Sequence, residues 1–289
     1  MKSESGSQLV FEKIASDIRG SEGPLVTKDG RLFVVQPSGG LILEIGTAGE
    51  KTVLANTGGI PAGLQLHPDG SIWVADMKLG ILRVTLDGSI TREVSTFEGQ
   101  PIRGCNDCSF DSRGNLYFTA PAGSSGTNPI GELFCRLATG EVLRLDQGFA
   151  FCNGLAVSGD DNLLIVAETF TKILHGYHLK APGVVSEKYL FATLPGDHHG
   201  GPDGIDFDAG GRLIATNLGA GHLEVLAPDG TLEDRVPLPF AHPSNVHFGG
   251  PGSHTLYITE HTNHALWKTE WHCAGQTQFG WRTDLTNLP

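Results

Sequence analysis

The chain has 289 residues, a net charge of −12, and 40 glycines and 16 prolines, a composition that favours short strands joined by many turns. The negative charge disfavours nucleic acids and anionic membranes as partners, because both would repel the protein. No apolar run is long enough to span a bilayer, and 39% hydrophobic with 18% charged residues predicts a globular protein with a sizeable core.

The N-terminal region has two parts. Residues 1–7 are rich in Ser, Gly and Glu and are expected to be disordered, and residues 1–8 lack the apolar core of a signal peptide. Residues 9–15 alternate well enough to form a strand. Because no export signal is present, the five cysteines are interpreted as reduced, buried thiols and the protein as cytoplasmic.

A turn followed by a short apolar strand recurs six times. The repeats are 40, 44, 47, 50 and 43 residues apart when they are anchored at Leu32, Ile72, Leu116, Leu163, Leu213 and Leu256. Six such units fill the chain, so the repeat predicts an all-β, six-bladed β-propeller that forms a single domain over residues 1–289. Hairpins follow the anchor strands, with turns such as Asp87-Gly88 and Asp229-Gly230. A ring of blades needs closure, and residues 9–15 are predicted to complete the last blade.

Oxygen-bearing side chains stand at one fixed place in the repeat. The residues ten positions before the anchors are Glu22, Ala62, Asn106, Asn153, Asp203 and Val246. If the repeats are arranged about an axis, the two carboxylates and two carboxamides of this set converge on it. A ring of hard oxygens with two negative charges is typical of a Ca²⁺ site.

Other motifs have more than one interpretation. Residues 105–108, CNDC, have the spacing of a zinc or redox pair, but no second pair is present, which favours packing. Asp203 and Asp206 are three residues apart and could serve two different sites. His261 is either a core imidazole or a polar group of the central channel. No nucleophile elbow, P-loop or dinucleotide fingerprint occurs.

Several motifs, taken in order, resemble those of one known family. They are EGP at Glu22, GIPAGLQ at Gly59, GCNDCSFD at Gly104, TAPAG at Thr119, FCNG at Phe151, IVAET at Ile165, GGPDGIDFD at Gly200, HPSNVHF at His242 and ITEH at Ile258. They closely resemble the calcium-dependent phosphotriesterases of the diisopropylfluorophosphatase type, six-bladed propellers related to regucalcin and gluconolactonase. The resemblance extends from Glu22 to Trp271, nearly the whole chain.

The resemblance implies two calcium sites and a substrate pocket. Glu22, Asn106, Asn153 and Asp203 match the ligands of a catalytic ion and are the same four residues that the offset selects. Asp206 and His247 match the ligands of a structural ion, with the Val246 carbonyl beside them. The residues that match the pocket wall are Gln65, Met77, Asp107, Phe151, Thr169, Ser244 and His261, together with Leu218, which stands where the family has a tryptophan.

The resemblance also implies a reaction, namely calcium-dependent hydrolysis of organophosphate esters of the P–F type. Asp203 would either attack phosphorus directly or activate a water. Segments 122–131 and 36–40 are shorter than their counterparts, which predicts a more open pocket. A lactone or another small-molecule ester is therefore an alternative substrate, and a non-catalytic calcium-binding propeller is the alternative from another class. We expect a monomer.

Overall fold

Nearly all regular structure in the protein is β-strand. The computed structural model describes residues 9–102, 104–121 and 123–283, so the disorder expected for residues 1–7 concerns a part of the chain outside these ranges. Within them, the helical elements are two 3₁₀ turns, η1 (Pro37–Gly39) and η2 (Phe279–Trp281). No helix in the described ranges is long and apolar enough to cross a membrane.

The strands form six antiparallel sheets that follow one another along the chain, which confirms the six-bladed propeller. Blade 1 consists of β2 (Glu22–Val26), β3 (Leu32–Gln36), β4 (Leu41–Ile45) and β5 (Lys51–Asn56), and blade 2 of β6 (Pro61–Leu66), β7 (Ile72–Asp76), β8 (Gly80–Val84) and β9 (Ile90–Val94). Blade 3 consists of β12 (Cys108–Phe110), β13 (Leu116–Ala120), β14 (Gly131–Arg136) and β15 (Val142–Phe149), and blade 4 of β16 (Cys152–Val157), β17 (Leu163–Glu168), β18 (Ile173–Ala181), β19 (Val184–Val185) and β20 (Tyr189–Thr193). Blade 5 consists of β21 (Gly201–Phe207), β22 (Leu213–Leu218), β23 (His222–Leu226) and β24 (Leu232–Pro237), and blade 6 of β25 (Pro243–Phe248), β26 (Thr255–Glu260) and β27 (Ala265–Glu270) with β1 (Glu12–Ala15). A hairpin of β10 (Thr96–Phe97) and β11 (Gln100–Pro101) lies between blades 2 and 3.

The N-terminal strand closes the ring as predicted. β1 pairs antiparallel with β27, so the sheet of blade 6 has the order β1-β27-β26-β25. The Thr269 hydroxyl also donates to the Val10 carbonyl at 2.9 Å, which extends the attachment beyond the strand. Residues from both termini of the propeller thus share one sheet.

The hydrophobic core consists of six clusters, each shared by two adjacent blades. Between blades 2 and 3, for example, Trp73 and Ile81 pack with Phe110 and Leu116, and the cluster between blades 6 and 1 joins Leu266 to Val34 and Leu43. Cys105 and Cys108 are buried in the first of these clusters as free thiols, in agreement with the packing interpretation of CNDC. Burial of these clusters holds neighbouring blades together.

The first strand of each blade is the innermost. β2, β6, β12, β16, β21 and β25 each contact the inner strand of the next blade, and together they surround the axis. The chain after β27, residues 271–283, then crosses the end of the axis where these strands finish. Its backbone bonds to Phe207 in β21, and Gly280 lies against Leu66 in β6 so closely that a β-carbon would collide with it.

Candidate functional site

The strand register identifies the equivalent residue in each blade. Each inner strand ends in a pair with the second strand: Val26–Leu32, Leu66–Ile72, Phe110–Leu116, Val157–Leu164, Phe207–Leu213 and Phe248–Leu256. We call the residue four positions before the first member of each pair the ring position of that blade. The ring positions are occupied by Glu22, Ala62, Asn106, Asn153, Asp203 and Ser244. The sequence offset is therefore wrong in blade 6, where Ser244 and not Val246 holds the position. The turn of that blade, between Phe248 and Leu256, is longer than the others.

The inner strands approach one another closely at the ring positions. In five blades the pairing of the inner strand shifts register here, and such bulges redirect side chains. A glycine follows four ring positions, and a β-carbon on it would collide with the inner strand of the next blade. The colliding pairs are Gly23 with Ala62, Gly63 with Asp107, Gly154 with Asp203, and Gly204 with Asn245. The inner strands of neighbouring blades are thus in close contact at or beside the ring positions.

Threonine hydroxyls tie the ring to the second strands. Thr119 donates to the Asn153 carbonyl at 2.7 Å, and Thr169 donates to the Pro202 carbonyl at 2.8 Å, so each hydroxyl links two blades. The Thr169 hydroxyl also accepts a hydrogen bond of 3.1 Å from Nδ2 of Asn153. This bond fixes the carboxamide and leaves its Oδ1 as the ligand atom available to a cation.

Four acidic side chains, Glu22, Asp107, Asp203 and Asp206, gather near the axis. Burial raises the pKa of Asp203 well above its usual range, and repulsion from Glu22 and Asp107 raises it further. Burial likewise raises the pKa of Asp107 to about 8, with repulsion from Glu22 and Asp206 added. No Lys or Arg of the described ranges forms an ion pair with these four acids. The nearest partner of Glu22 is His261, whose Nε2 lies 3.2 Å from Oε1.

The donor set of the ring fits a hard cation. No group of three or more His, Cys, Asp or Glu side chains with metal-binding geometry occurs among the described residues. The ring instead combines two carboxylates with two carboxamides, all of them oxygen ligands of the kind that Ca²⁺ prefers. The Ser244 hydroxyl is already bonded to the Ser21 carbonyl at 2.8 Å. A cation bound by Glu22 and Asp203 would neutralise the charge that the protein leaves uncompensated.

A second polar cluster lies farther along the inner strands, at Asp206 in β21 and His247 in β25. The Asp206 carboxylate accepts hydrogen bonds from the N–H groups of Phe207 at 2.8 Å and Phe248 at 3.2 Å. His247 Nδ1 lies 3.6 Å from it, and Nε2 of the same ring is buried with no partner in the described ranges. Burial lowers the pKa of His247 to about 4, so its imidazole is neutral at pH 7 and able to bind a metal. The role of the Val246 carbonyl remains a prediction.

Four of the predicted wall residues share one place in the blade. Met77, Thr169, Leu218 and His261 each follow a buried acid or amide at the end of a second strand. Those preceding residues are Asp76, Glu168, Asn217 and Glu260. Each of them binds groups of neighbouring loops, as Glu260 does by accepting from the Asn263 N–H at 2.8 Å. Each wall residue therefore follows a buried residue whose side chain is held in place by hydrogen bonds, and these bonds help to position the wall residue.

His261 lies between the wall and the ring. Burial alone would lower its pKa, but contact with Glu22 and the charge of Glu260 outweigh burial and raise it. The imidazole as a whole is half-buried, although its Nε2 atom is buried. The acidic side chain that lies against its Nε2 is Glu22, a predicted calcium ligand.

Phe151 has an unusual backbone conformation, with φ of 71°. Its N–H donates to the Ser124 hydroxyl at 3.0 Å, and its ring packs edge-on against Phe170 at 5.5 Å. Strained residues of this kind are concentrated at functional sites. Ser124 and Phe170, which sequence reasoning missed, thus support a predicted wall residue. Gln65 lines a small central cavity with Asp107, Asp206 and His247.

The chain has relatives among known proteins. The family model described as SMP-30/Gluconolactonase/LRE-like region matches residues 20–262. A diisopropyl-fluorophosphatase of Loligo vulgaris is 41% identical, over 93% of this chain and 95% of its own, and a gluconolactonase of Zymomonas mobilis is 29% identical, over 88% and 79%. The solved structure of a calcium-binding protein, regucalcin from Agrobacterium tumefaciens, has the same fold, with a TM-score of 0.81 at 19% identity over 95% of this chain and 98% of its own. The chain is a hydrolase and belongs to the SMP-30/gluconolactonase/LRE-like family.

Proposed function

We propose that the protein is a calcium-dependent hydrolase of organophosphate esters with a fluoride-like leaving group. The observation that supports this proposal is the equivalent placement of Glu22, Asn106, Asn153 and Asp203 on closely packed inner strands, beside acids that no Lys or Arg of the described ranges pairs with. The 41% identity to the diisopropyl-fluorophosphatase of Loligo vulgaris supports the substrate class. Calcium, when bound, would act as a Lewis acid on the phosphoryl oxygen.

Asp203 can act in two ways. As a nucleophile, its carboxylate oxygen forms a bond to phosphorus while the bond to fluorine breaks and fluoride leaves; water then hydrolyses the phosphoenzyme and restores the carboxylate. As a base, Asp203 accepts a proton from the water whose oxygen bonds to phosphorus, while the bond to fluorine breaks and fluoride leaves. Glu22 and the two asparagines hold the cation in either case. His261 shapes the wall and is not required as the base.

A lactone is the second candidate substrate. The gluconolactonase of Zymomonas mobilis is 29% identical to this chain, and the half-buried Leu218 stands at the wall beside His261 and Thr169 in the blade pattern. A cation held by the same ring would then stabilise the oxyanion that develops as water adds to the carbonyl carbon. The choice between the two substrates depends on the wall and not on the ring.

The test is a hydrolysis panel of one fluorophosphate and several lactones. Each reaction is run at saturating calcium, after a chelator, and after calcium or magnesium is returned. We expect fluorophosphate turnover that the chelator abolishes and that calcium, but not magnesium, restores. Turnover of lactones alone would select the second candidate. Turnover of neither at saturating calcium would overturn the enzyme proposal and favour a calcium-binding propeller without catalysis.

A further inference from the structure

The C-terminal segment, residues 271–283, brings a side chain into the second polar cluster. Gln278 Nε2 donates to Asp206 Oδ2 at 3.2 Å and to Oδ1 at 3.4 Å, and it lies 3.5 Å from Nδ1 of His247. No motif of the propeller repeat extends into this segment. Gln278 nevertheless contacts both residues that match the ligands of the structural ion.

The segment is firmly held against the inner strands, so the position of Gln278 is determined by packing. Phe279 is 3% exposed, and its ring lies 5.0 Å from Phe110 and 5.4 Å from His67. On the other side, Gln276 Nε2 donates to the Val157 carbonyl at 2.9 Å. Gln278 stands between these two anchors and is directed at Asp206.

Gln278, Asp206, His247 and Gln65 line one cavity of about 30 Å³, which is enough for a single ion or water. The buried Nε2 of His247 has no hydrogen-bond partner in the described ranges, so one ring nitrogen of a cavity-lining residue is not used by the described part of the protein. A glutamine carboxamide exchanges its N–H₂ group for its oxygen by rotation about its last torsion. The same side chain can therefore donate to Asp206 or present Oε1 to a cation.

We propose that Gln278 is a protein ligand of the second calcium ion, which thereby fastens the C-terminal segment to β21 and β25. The inference rests on the calcium dependence in the proposed function. It adds an oxygen ligand from outside the propeller repeat to the carboxylate of Asp206 and the imidazole of His247. The ion then links three parts of the chain that are far apart in sequence, and the C-terminal segment becomes part of the binding site.

Calcium binding to the full-length protein tests the inference, with Gln278→Ala as the variant and Gln276→Ala as the matched control on the same segment. Isothermal titration after removal of metal gives the affinity of each ion. Limited proteolysis of the C-terminal segment with and without calcium gives a second measurement. We expect Gln278→Ala to weaken one of two affinities about tenfold or more and to remove the protection by calcium, while Gln276→Ala keeps both affinities within about twofold.

Gln278→Glu covers the case in which the alanine variant does not fold. It retains an oxygen ligand and adds a negative charge, so the second ion should bind as tightly as in the wild type or more tightly. Two unchanged affinities in Gln278→Ala, equal weakening in Gln276→Ala, or weaker binding in Gln278→Glu would each overturn the inference while leaving the proposed function intact. A wild-type protein that binds no calcium would overturn both.

Discussion

Two sets of buried acids in this propeller differ in how the protein satisfies them. At the ends of the second strands, Asp76 accepts hydrogen bonds from the N–H groups of Ile60, Lys78 and Leu79 and from the Thr57 hydroxyl. At the axis, the Asp203 carboxylate has other acids as its neighbours, and only the Asn153 carboxamide among the described residues offsets them. Both acids are almost completely buried.

The pKa values of Glu168 and Asp203, one acid from each set, move in opposite directions. Burial alone would raise the pKa of Glu168, at the end of the second strand of blade 4, but hydrogen bonds from His175, Thr171 and the Ala150 N–H lower it to about 2. The pKa of Asp203 is instead raised by burial and by like charge. The fold therefore has the means to satisfy a buried carboxylate with its own donors. At the axis the fold does not supply such donors to Asp203, and a bound cation would stabilise its ionised carboxylate instead.

The largest expected effect is that of Asp203→Asn. The substitution keeps an oxygen for the cation but removes a charge and most of the nucleophilicity, so turnover should fall by on the order of a thousandfold, about 4 kcal/mol of transition-state stabilisation. Calcium should still bind, at reduced affinity. Steady-state kinetics together with calcium titration measure both effects.

His261→Asn is the control for this variant. It alters the wall but leaves all four ring ligands in place, so it should reduce turnover by only about tenfold. An active Asp203→Asn beside an inactive His261→Asn would reverse the assignment and identify the histidine as the general base.

The second effect is on stability. Two ions that bind only the folded protein should stabilise it, each by about 2.7 kcal/mol at a concentration one hundred times its dissociation constant. Thermal unfolding in calcium and in excess chelator should therefore differ by several degrees. An unchanged midpoint, with no calcium in the purified protein, would contradict both sites.

His247→Ala separates the two sites. The residue belongs to the second cluster, so its loss should reduce the calcium-dependent rise in the melting temperature more than it reduces turnover at saturating calcium. Asp206→Asn should behave in the same way. A His247→Ala protein that melts normally but has no turnover would show that the two sites are interchanged.

Much of this architecture can be predicted from the sequence because it is repetitive. A fixed spacing selects Glu22, Asn106, Asn153 and Asp203, and the strand register places the same four residues in equivalent positions. The spacing fails only in blade 6, because a longer turn moves Ser244 and not Val246 into the ring. A fixed sequence offset therefore identifies equivalent residues only where the turns between strands have the same length.

The supporting contacts could not be predicted, because they come from parts of the chain that do not repeat. Gln278 and Phe279 follow the last blade, and nothing in their local sequence indicates that the segment returns to the axis. The hydroxyl bond between Thr119 and the Asn153 carbonyl joins different blades, so it depends on how the blades pack. Such contacts are tertiary in origin and leave no local signal.

The smallest expected effect concerns Glu168, which tests the other half of the comparison. Its pKa of about 2 in the folded protein lies below the ordinary value of 4.5, so its contribution to stability is complete above pH 4.5 and is lost as the pH falls towards 2. Glu168→Gln should lower the free energy of unfolding by about 1–2 kcal/mol at pH 7, because bonds to a charged acceptor are replaced by weaker ones. Urea unfolding of wild type and variant should show that the difference between their free energies of unfolding becomes smaller from pH 4.5 to pH 3.

Glu44→Gln is the control, because it breaks a more exposed ion pair with Arg31. It should lower the free energy of unfolding by less than 1 kcal/mol. If the difference in free energy of unfolding between wild type and Glu168→Gln stayed constant down to pH 3, the surrounding donors would not be stabilising the charge of Glu168. The contrast between Glu168 and Asp203 would then depend on burial alone.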